Sequence, residues 1–404
     1  MKVLIIGGGA AGCYSAVHAA VQGHEVILIE KNKQIGRKLR ITGKGRCNLT
    51  NNCDRETLMK NIPRNGKFLY SAFAACNPQD VMTYFEGLGV ALKTERGNRV
   101  FPVSDQAAEI VEALHGQLQK LHVRIIQDKA EALIIENQIC QGVRCEKKSY
   151  YGDKILLAVG GATYPGTGSE GDGYRIAEQA GHQITKLSPS LVPLETLERD
   201  CMEMMGISLK NIRLMLKHKN KVLYEEQGEM LFTHFGISGP LVLSASAHLP
   251  EDNGCTVHLD LKPALTPEQL DKRLQREITE IPNQQVSNLC RKLVPANMVM
   301  PLLARCGLSP YLKNHSLTKA NRIRICEELK NFQFTIRGTR PMEEGIITRG
   351  GISCREVNPK TMESKLIKNL YFAGEILDVD AYTGGFNLQA AFSTGYLAAM
   401  HFND

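Results

Sequence analysis

Gly7, Gly9 and Gly12 are spaced to hold a pyrophosphate. A Gly-x-Gly-x-x-Gly turn lets the backbone bend tightly and approach phosphate oxygens with no side chain in the way. Ala10 and Ala11 keep the same surface small. Glu30, eighteen residues beyond Gly12, offers a carboxylate to ribose hydroxyls. The chemistry these residues suit is the binding of a dinucleotide.

The elements that must position them are written around them. Lys2-Val3-Leu4-Ile5-Ile6 reads as a strand, Cys13 to Val21 as the helix behind the turn, and Val26-Ile27-Leu28-Ile29 as a second strand ending on Glu30. The helix start offers free N–H groups and a positive dipole end to an anion. A glycine pattern alone is a weak signal, and an ordinary βαβ unit can carry one. Here strand, turn, helix and acid occur in order.

A basic loop follows. Five Lys or Arg lie between Lys31 and Arg40, among them Arg37 and Lys38. They can meet a pyrophosphate from the side opposite the first glycines. Gly43 and Gly45 permit close backbone approach beside Thr42, and Arg46 and Asn48 supply donors. A merely solvated loop has no need of two glycines flanking a lysine and then Arg-Cys-Asn.

Gly36-Arg37-Lys38 followed by Thr42-Gly43-Lys44-Gly45-Arg46-Cys47-Asn48-Leu49-Thr50-Asn51 resembles the signature of one bacterial family. Its members are two-dinucleotide-type FAD flavoproteins, labelled NAD(P)/FAD-dependent oxidoreductases, grouped with aminoacetone oxidase and the dehydro-bile-acid reductase. Matching motifs recur near residues 160, 230, 345 and 375, so the resemblance spans essentially the whole chain. It implies further cofactor contacts. Ala130 would give its backbone to adenine. Ala158, Gly160 and Gly161 match the Ala-Thr-Gly-Gly element, with Val159 in place of threonine. Gly374 and Glu375 would lie beside the ribityl and pyrophosphate. Gly385, Asn387 and Leu388 would open a helix aimed at the flavin N1–C2=O edge, which stabilises the reduced anion. His234 and Ser238 would face the flavin from the middle of the chain, or else serve capping and turn chemistry there.

Gly166-Thr-Gly168-Ser-Glu-Gly171 also fits the glycine pattern. No acid closes a following strand, so it reads as the opening of a helix over Asp172 to Ala180, not as a nicotinamide site. The chain thus holds one credible dinucleotide fingerprint, assigned to FAD. NAD(P)H, if it is the reductant, docks transiently on the ring.

At 404 residues more than one core is expected. Ser188-Pro189-Ser190 marks a boundary. Extended segments at Ile212 to Leu216, Val222 to Tyr224, Glu229 to Phe232 and Thr256 to Leu261 suggest a β-domain. Glu268 to Lys330 reads as helical, broken by Pro295, Pro301 and Pro310. The expected fold is α/β. A Rossmann-like FAD-binding domain (1–190 plus 341–404) is interrupted by a β-rich domain (191–265 plus 331–340) and a helical insert (266–330).

The 43% hydrophobic and 23% charged content is that of a globular protein, and no apolar run reaches the ~20 residues that span a bilayer. The chain opens on its first strand, with no targeting segment, so a cytoplasmic location is expected. Twelve scattered cysteines form no Cys-x-x-Cys and no metal-ligand cluster; they read as free thiols, and no metal is expected. Cys47 stands alone in the flavin loop and reads as packing. The net charge of +7 is dispersed, Trp is absent, and Lys210 to Lys221 reads as the solvated face of a hairpin, which argues against a nucleic-acid partner.

The function these readings imply is FAD-dependent oxidoreduction, with NAD(P)H driving reduction of a small enone or ketone. Oxidation of a small amine or aminoketone with peroxide release is the first alternative, and an RNA-associated flavoprotein the second. The catalytic residues stay open. Tyr164, His234, Arg349 and Tyr382 are the candidate proton donors.

Overall fold

The computed structural model describes residues 1–219, 221–252 and 254–404. Two compact units emerge, Met1–Ser190 with Met342–Asp404, and Leu191–Pro341.

The first unit is built on a five-stranded parallel sheet. Its strands are β1 (Lys2–Ile6), β2 (Glu25–Glu30), β3 (Arg124–Gln127), β4 (Lys154–Leu157) and β5 (Leu370–Phe372), in the order β5-β4-β1-β2-β3. Parallel strands covered on both faces read as continuous apolar runs. Val3, Leu4, Ile5 and Ile155 to Leu157 accordingly have no exposed surface. Two helices cover the middle of the sheet, α1 (Ala10–Val21) and α2 (Phe386–Met400). They pack closely because both are rich in small residues. A Cβ on Gly395 of α2 would lie 2.4 Å from the Ala11 carbonyl oxygen of α1.

α2 begins at Phe386, with Gly385 as its N-cap. A buried polar network ties it down. Gln389 accepts a hydrogen bond from the Thr50 hydroxyl at 2.6 Å, and its amide donates to the Cys76 carbonyl at 3.0 Å. Buried polar groups are tolerated when satisfied in this way.

In the second unit a closed antiparallel barrel runs Leu194–Thr196, Gly236–Ser238, Lys221–Phe232, Ser208–His218, Cys255–Asp260, Phe332–Thr339. The two extended segments expected at 222–224 and 229–232 are one strand. Gly228 continues the ladder opposite Ile212, and Leu241 packs where its side chain would be. The basic residues Lys210 and Arg213 point outward between buried Leu209, Ile212 and Leu214. Four α-helices, Pro267–Glu280, Val286–Arg291, Val299–Cys306 and Lys319–Lys330, occupy the expected helical stretch. Pro301 does not break it. It sits in the first turn of Val299–Cys306, where a missing N–H costs nothing. Among the described residues no helix is long and apolar enough to cross a membrane.

Candidate functional site

All the residues assigned to the cofactor lie in the first unit, and the fold gathers them at the carboxyl ends of β1, β2, β4 and β5. Gly7 turns with φ +103, and a Cβ there would lie 2.4 Å from the Ala158 carbonyl oxygen. A Cβ on Gly12 would lie 1.9 Å from the Gly7 oxygen. Gly9 differs from both. Its backbone is ordinary (φ −84, ψ −168), and a Cβ would meet nothing within 4 Å. Beside it α1 starts with no side-chain cap and no acid in its first turn. The result is a backbone-lined cradle, open where Gly9 faces outward and electrically suited to an anion. Ala10 and Ala11 floor it.

Glu30 organises the neighbouring edge. Its carboxylate accepts from the Gly8 N–H and the Asn32 N–H, each at 2.8 Å. Asp128 N–H donates to the Glu30 carbonyl oxygen at 3.1 Å, and buried Ala130 follows two residues on. Lys31 bridges Glu170 and Asp172 at 2.8 Å each, and Arg37 donates to Asn32 and to the Gly166 carbonyl at 2.7 and 2.8 Å. The second glycine-rich loop therefore packs along the basic loop. Sequence reasoning treated it only as a helix opening, because its partners are more than a hundred positions away.

The chain ends meet at Glu375. Lys38 Nζ lies 2.7 Å from Glu375 Oε2 and 2.9 Å from the Thr163 hydroxyl, and Glu375 Oε1 accepts from the Thr348 N–H at 2.9 Å. Gly161 leaves room for this cluster, since a Cβ would lie 2.3 Å from Thr348 Oγ1. Gly160 turns beside it with φ +78, and Gly374 donates its N–H to Thr394 of α2 at 3.0 Å.

The loop at 42–48 buttresses the start of α2. Thr42 donates its hydroxyl to the Leu39 carbonyl at 2.7 Å, and Gly43 turns with φ +57. Asn48 accepts from the Gly385 N–H at 3.0 Å and donates to the Thr50 carbonyl at 3.1 Å. Gly385 has no room for a Cβ, which would lie 2.3 Å from the Thr50 oxygen. The Asn387 amide is spent on loop geometry, bonding Ala381 N–H and the Ala381 and Tyr382 carbonyls. Leu388 is half-buried in the first turn of α2. Arg46 turns away from this group. It pairs with Glu95 and Asp105, and its guanidinium lies 4.1 Å over the Phe101 ring. Buried Cys47 packs, its thiol pushed up to about 12 by burial against a smaller opposite effect of Thr42. Such a thiol supplies no thiolate near neutral pH.

Of the candidate proton donors, Tyr164 holds a left-handed turn with φ +57 and Lys38 5.7 Å from its ring centre. Arg349 ends the short Ile347–Arg349 strand, and Tyr382 stands in the loop before α2. His234 belongs to the second unit and packs edge-on against Phe235.

The sequence reading missed Asp380, in the loop between β5 and α2. It is 2% exposed, one oxygen accepts from Ser190 at 3.1 Å, and the other has no hydrogen-bond partner among the described residues. Asp378, two residues earlier, is clamped by Arg64 at 2.6 Å and by Asn65. Burial pushes the Asp380 carboxyl up to about 6, partly offset by Ser190, Arg349 and Arg64, while Asp378 adds to the rise. The only local signal was an Asp-x-Asp pair just before a glycine turn.

A raised carboxyl pKa stabilises the folded chain fully below the unfolded value near 4, and that contribution is lost as pH rises through about 6. Asp380→Asn stays neutral throughout. Its stability relative to the parent is expected to improve by about 2 kcal/mol between pH 4 and pH 8. Urea melts at the two pH values check this; parallel shifts would refute it.

The family model described as HI0933-like protein Rossmann domain matches residues 1–401. A 3-dehydro-bile acid delta(4,6)-reductase of Clostridium scindens is 30% identical over 98% of both chains. A ribosomal RNA dihydrouridine synthase of Haemophilus influenzae is 29% identical over 98% of this chain and 97% of its own. Among solved structures, 3-ketosteroid delta1-dehydrogenase of Sterolibacterium denitrificans shares the fold, with a TM-score of 0.52 at 12% identity over 99% of this chain and 98% of its own. The chain belongs to the HI0933-like Rossmann-domain family, the flavin-dependent oxidoreductases whose signature its sequence carries.

Proposed function

We propose that this enzyme binds FAD and uses NAD(P)H to saturate a carbon–carbon double bond conjugated to a carbonyl. The observation that carries the reading is the cradle. Gly7 and Gly12 are closed to any side chain, whereas Gly9 faces open space beside an uncapped helix start. Those residues suit a pyrophosphate, Glu30 suits the ribose, and the α2 start suits the flavin N1–C2=O edge. When bound, the flavin supplies hydride transfer. The chain's own part is to bind and orient. The α1 N–H groups hold the phosphates, the Lys38–Glu375 pair fixes the loop beside them, and Asn48 holds Gly385 so that the α2 dipole points one way.

The relatives support the choice of substrate chemistry. A delta(4,6)-reductase and a dihydrouridine synthase are named for the same kind of step, saturation of a double bond next to a carbonyl. The second name also keeps RNA as an alternative source of substrate.

Anaerobic stopped-flow mixing with NADH or NADPH is expected to bleach the flavin band. A conjugated enone should then restore it without peroxide. Bleaching only by an amine or aminoketone, with peroxide formed in air, would replace the proposal with an oxidase. Glu30→Ala is expected to weaken FAD binding several-fold, about 1 kcal/mol. Unchanged flavin content after gel filtration would remove Glu30 from the site.

A further inference from the structure

The first unit contains a cavity of about 630 Å³ whose wall includes Lys44, Arg46, Arg99, Asn61, Phe101 and Phe386. That volume lies within the range of small-molecule sites, roughly 300–1,000 Å³. Three cations line it and no described lining residue is acidic. Their charges are not equally available. Arg46 is neutralised by Glu95 and Asp105 outside the cavity. Arg99 has no carboxylate partner among the described residues; its Nε donates to the Arg96 carbonyl at 3.0 Å. Lys44 makes no hydrogen bond or ion pair among the described residues.

Lys44 also sits in a conformation that lysine pays to adopt. Its φ is +60, between Gly43 at +57 and Gly45 at +85. A non-glycine residue there carries roughly 1 kcal/mol of backbone strain or more, and such strain concentrates at binding sites. Glycine would relax it.

The cavity's position tells what it serves. Gly384 and Phe386 in its wall flank Gly385, the N-cap of α2. Gly43, Arg46 and Asn48 of the loop assigned to the cofactor also line it, whereas none of Gly7 to Gly12, Glu30, Lys38 or Glu375 does. It therefore opens beside the end of the site read as holding the reacting ring, and away from the pyrophosphate cradle.

We infer that this cavity receives an anionic group of the substrate, a phosphate or a carboxylate, held by Lys44 and Arg99. The inference rests on the flavin-enzyme reading above. Lys44 and Arg99 are both solvent-exposed, so the two screened cations give modest affinity and strong salt dependence.

The test uses the full-length, FAD-loaded chain and follows perturbation of the flavin band without turnover. One arm compares uridine 5′-monophosphate with uridine; the other compares a 3-oxo-Δ4 bile acid with its methyl ester. In at least one arm the anion is expected to bind about tenfold more tightly than its neutral counterpart. That preference should fall to near unity in Lys44→Gly and Arg99→Gln, with flavin content unchanged. Lys44→Gly removes the cation while relieving strain, so it keeps the chain folded. The arm that responds identifies the source of the anion. No preference in either arm, or a preference that survives both substitutions, overturns the inference. Failure of the function reading shows separately, as protein without flavin or flavin that NAD(P)H leaves oxidised.

Discussion

Gly9→Val is expected to yield folded protein with at least tenfold less bound flavin than the parent. The fold should survive because the backbone at Gly9 is one that any L-residue adopts, and a Cβ there touches nothing. Valine is a poorer N-cap than glycine, but only by about 1 kcal/mol or less. What the branched side chain does occupy is the open side of the cradle, directly before the first N–H groups of α1. A phosphate cannot come within hydrogen-bonding distance of those groups past two methyls. Absorbance ratios of the purified protein and its circular dichroism melt measure the two halves of the claim. Full flavin loading in a folded Gly9→Val chain would place the pyrophosphate elsewhere.

Gly12→Ala should fail for the opposite reason, before any ligand arrives. Its Cβ would stand 1.9 Å from the Gly7 carbonyl oxygen, and that oxygen belongs to the turn itself. Gly7 has no room to retreat, because its own missing side chain faces the Ala158 carbonyl at 2.4 Å. Relief requires α1 to lift off β1, and α1 is also pressed on its other side by α2 at Gly395. Overpacking in a close-packed interior costs about 1–3 kcal/mol where side chains can yield. Here backbone meets backbone, so the loss should exceed about 3 kcal/mol. Insoluble or markedly less stable protein is the expected outcome. A soluble Gly12→Ala variant melting with the parent would sink the packing argument. The same motif thus contains glycines of two kinds, one facing open space and two packed against backbone.

The local part of this architecture was legible. Val3 to Ile6, the glycine turn and Val26 to Ile29 each announce themselves within a few residues, because a buried parallel strand needs an unbroken apolar run. The hairpin that pairs Ala130–Glu136 with Ile139–Cys145, Leu133 opposite Val143, is equally local in the sequence. What could not be read were contacts between distant segments. Lys38 and Glu375 lie 337 positions apart, and Arg37 reaches Gly166 across 129. No periodicity encodes such meetings. Asp380 escaped for a related reason. An aspartate in a loop looks solvated until Ser190 and its own burial are known. Asn387 carries the same lesson. Its side-chain amide bonds Ala381 and Tyr382, a loop-building role that no sequence pattern announces.

The meeting of α1 with α2 has a temporal side. The glycine turn leaves the ribosome well before Gly385 and α2, which come only after the whole barrel and its helices have been made. Until that last segment emerges, α1 lacks the helix that packs on it at Gly395, and a chain stalled short of residue 386 would leave that surface of α1 uncovered.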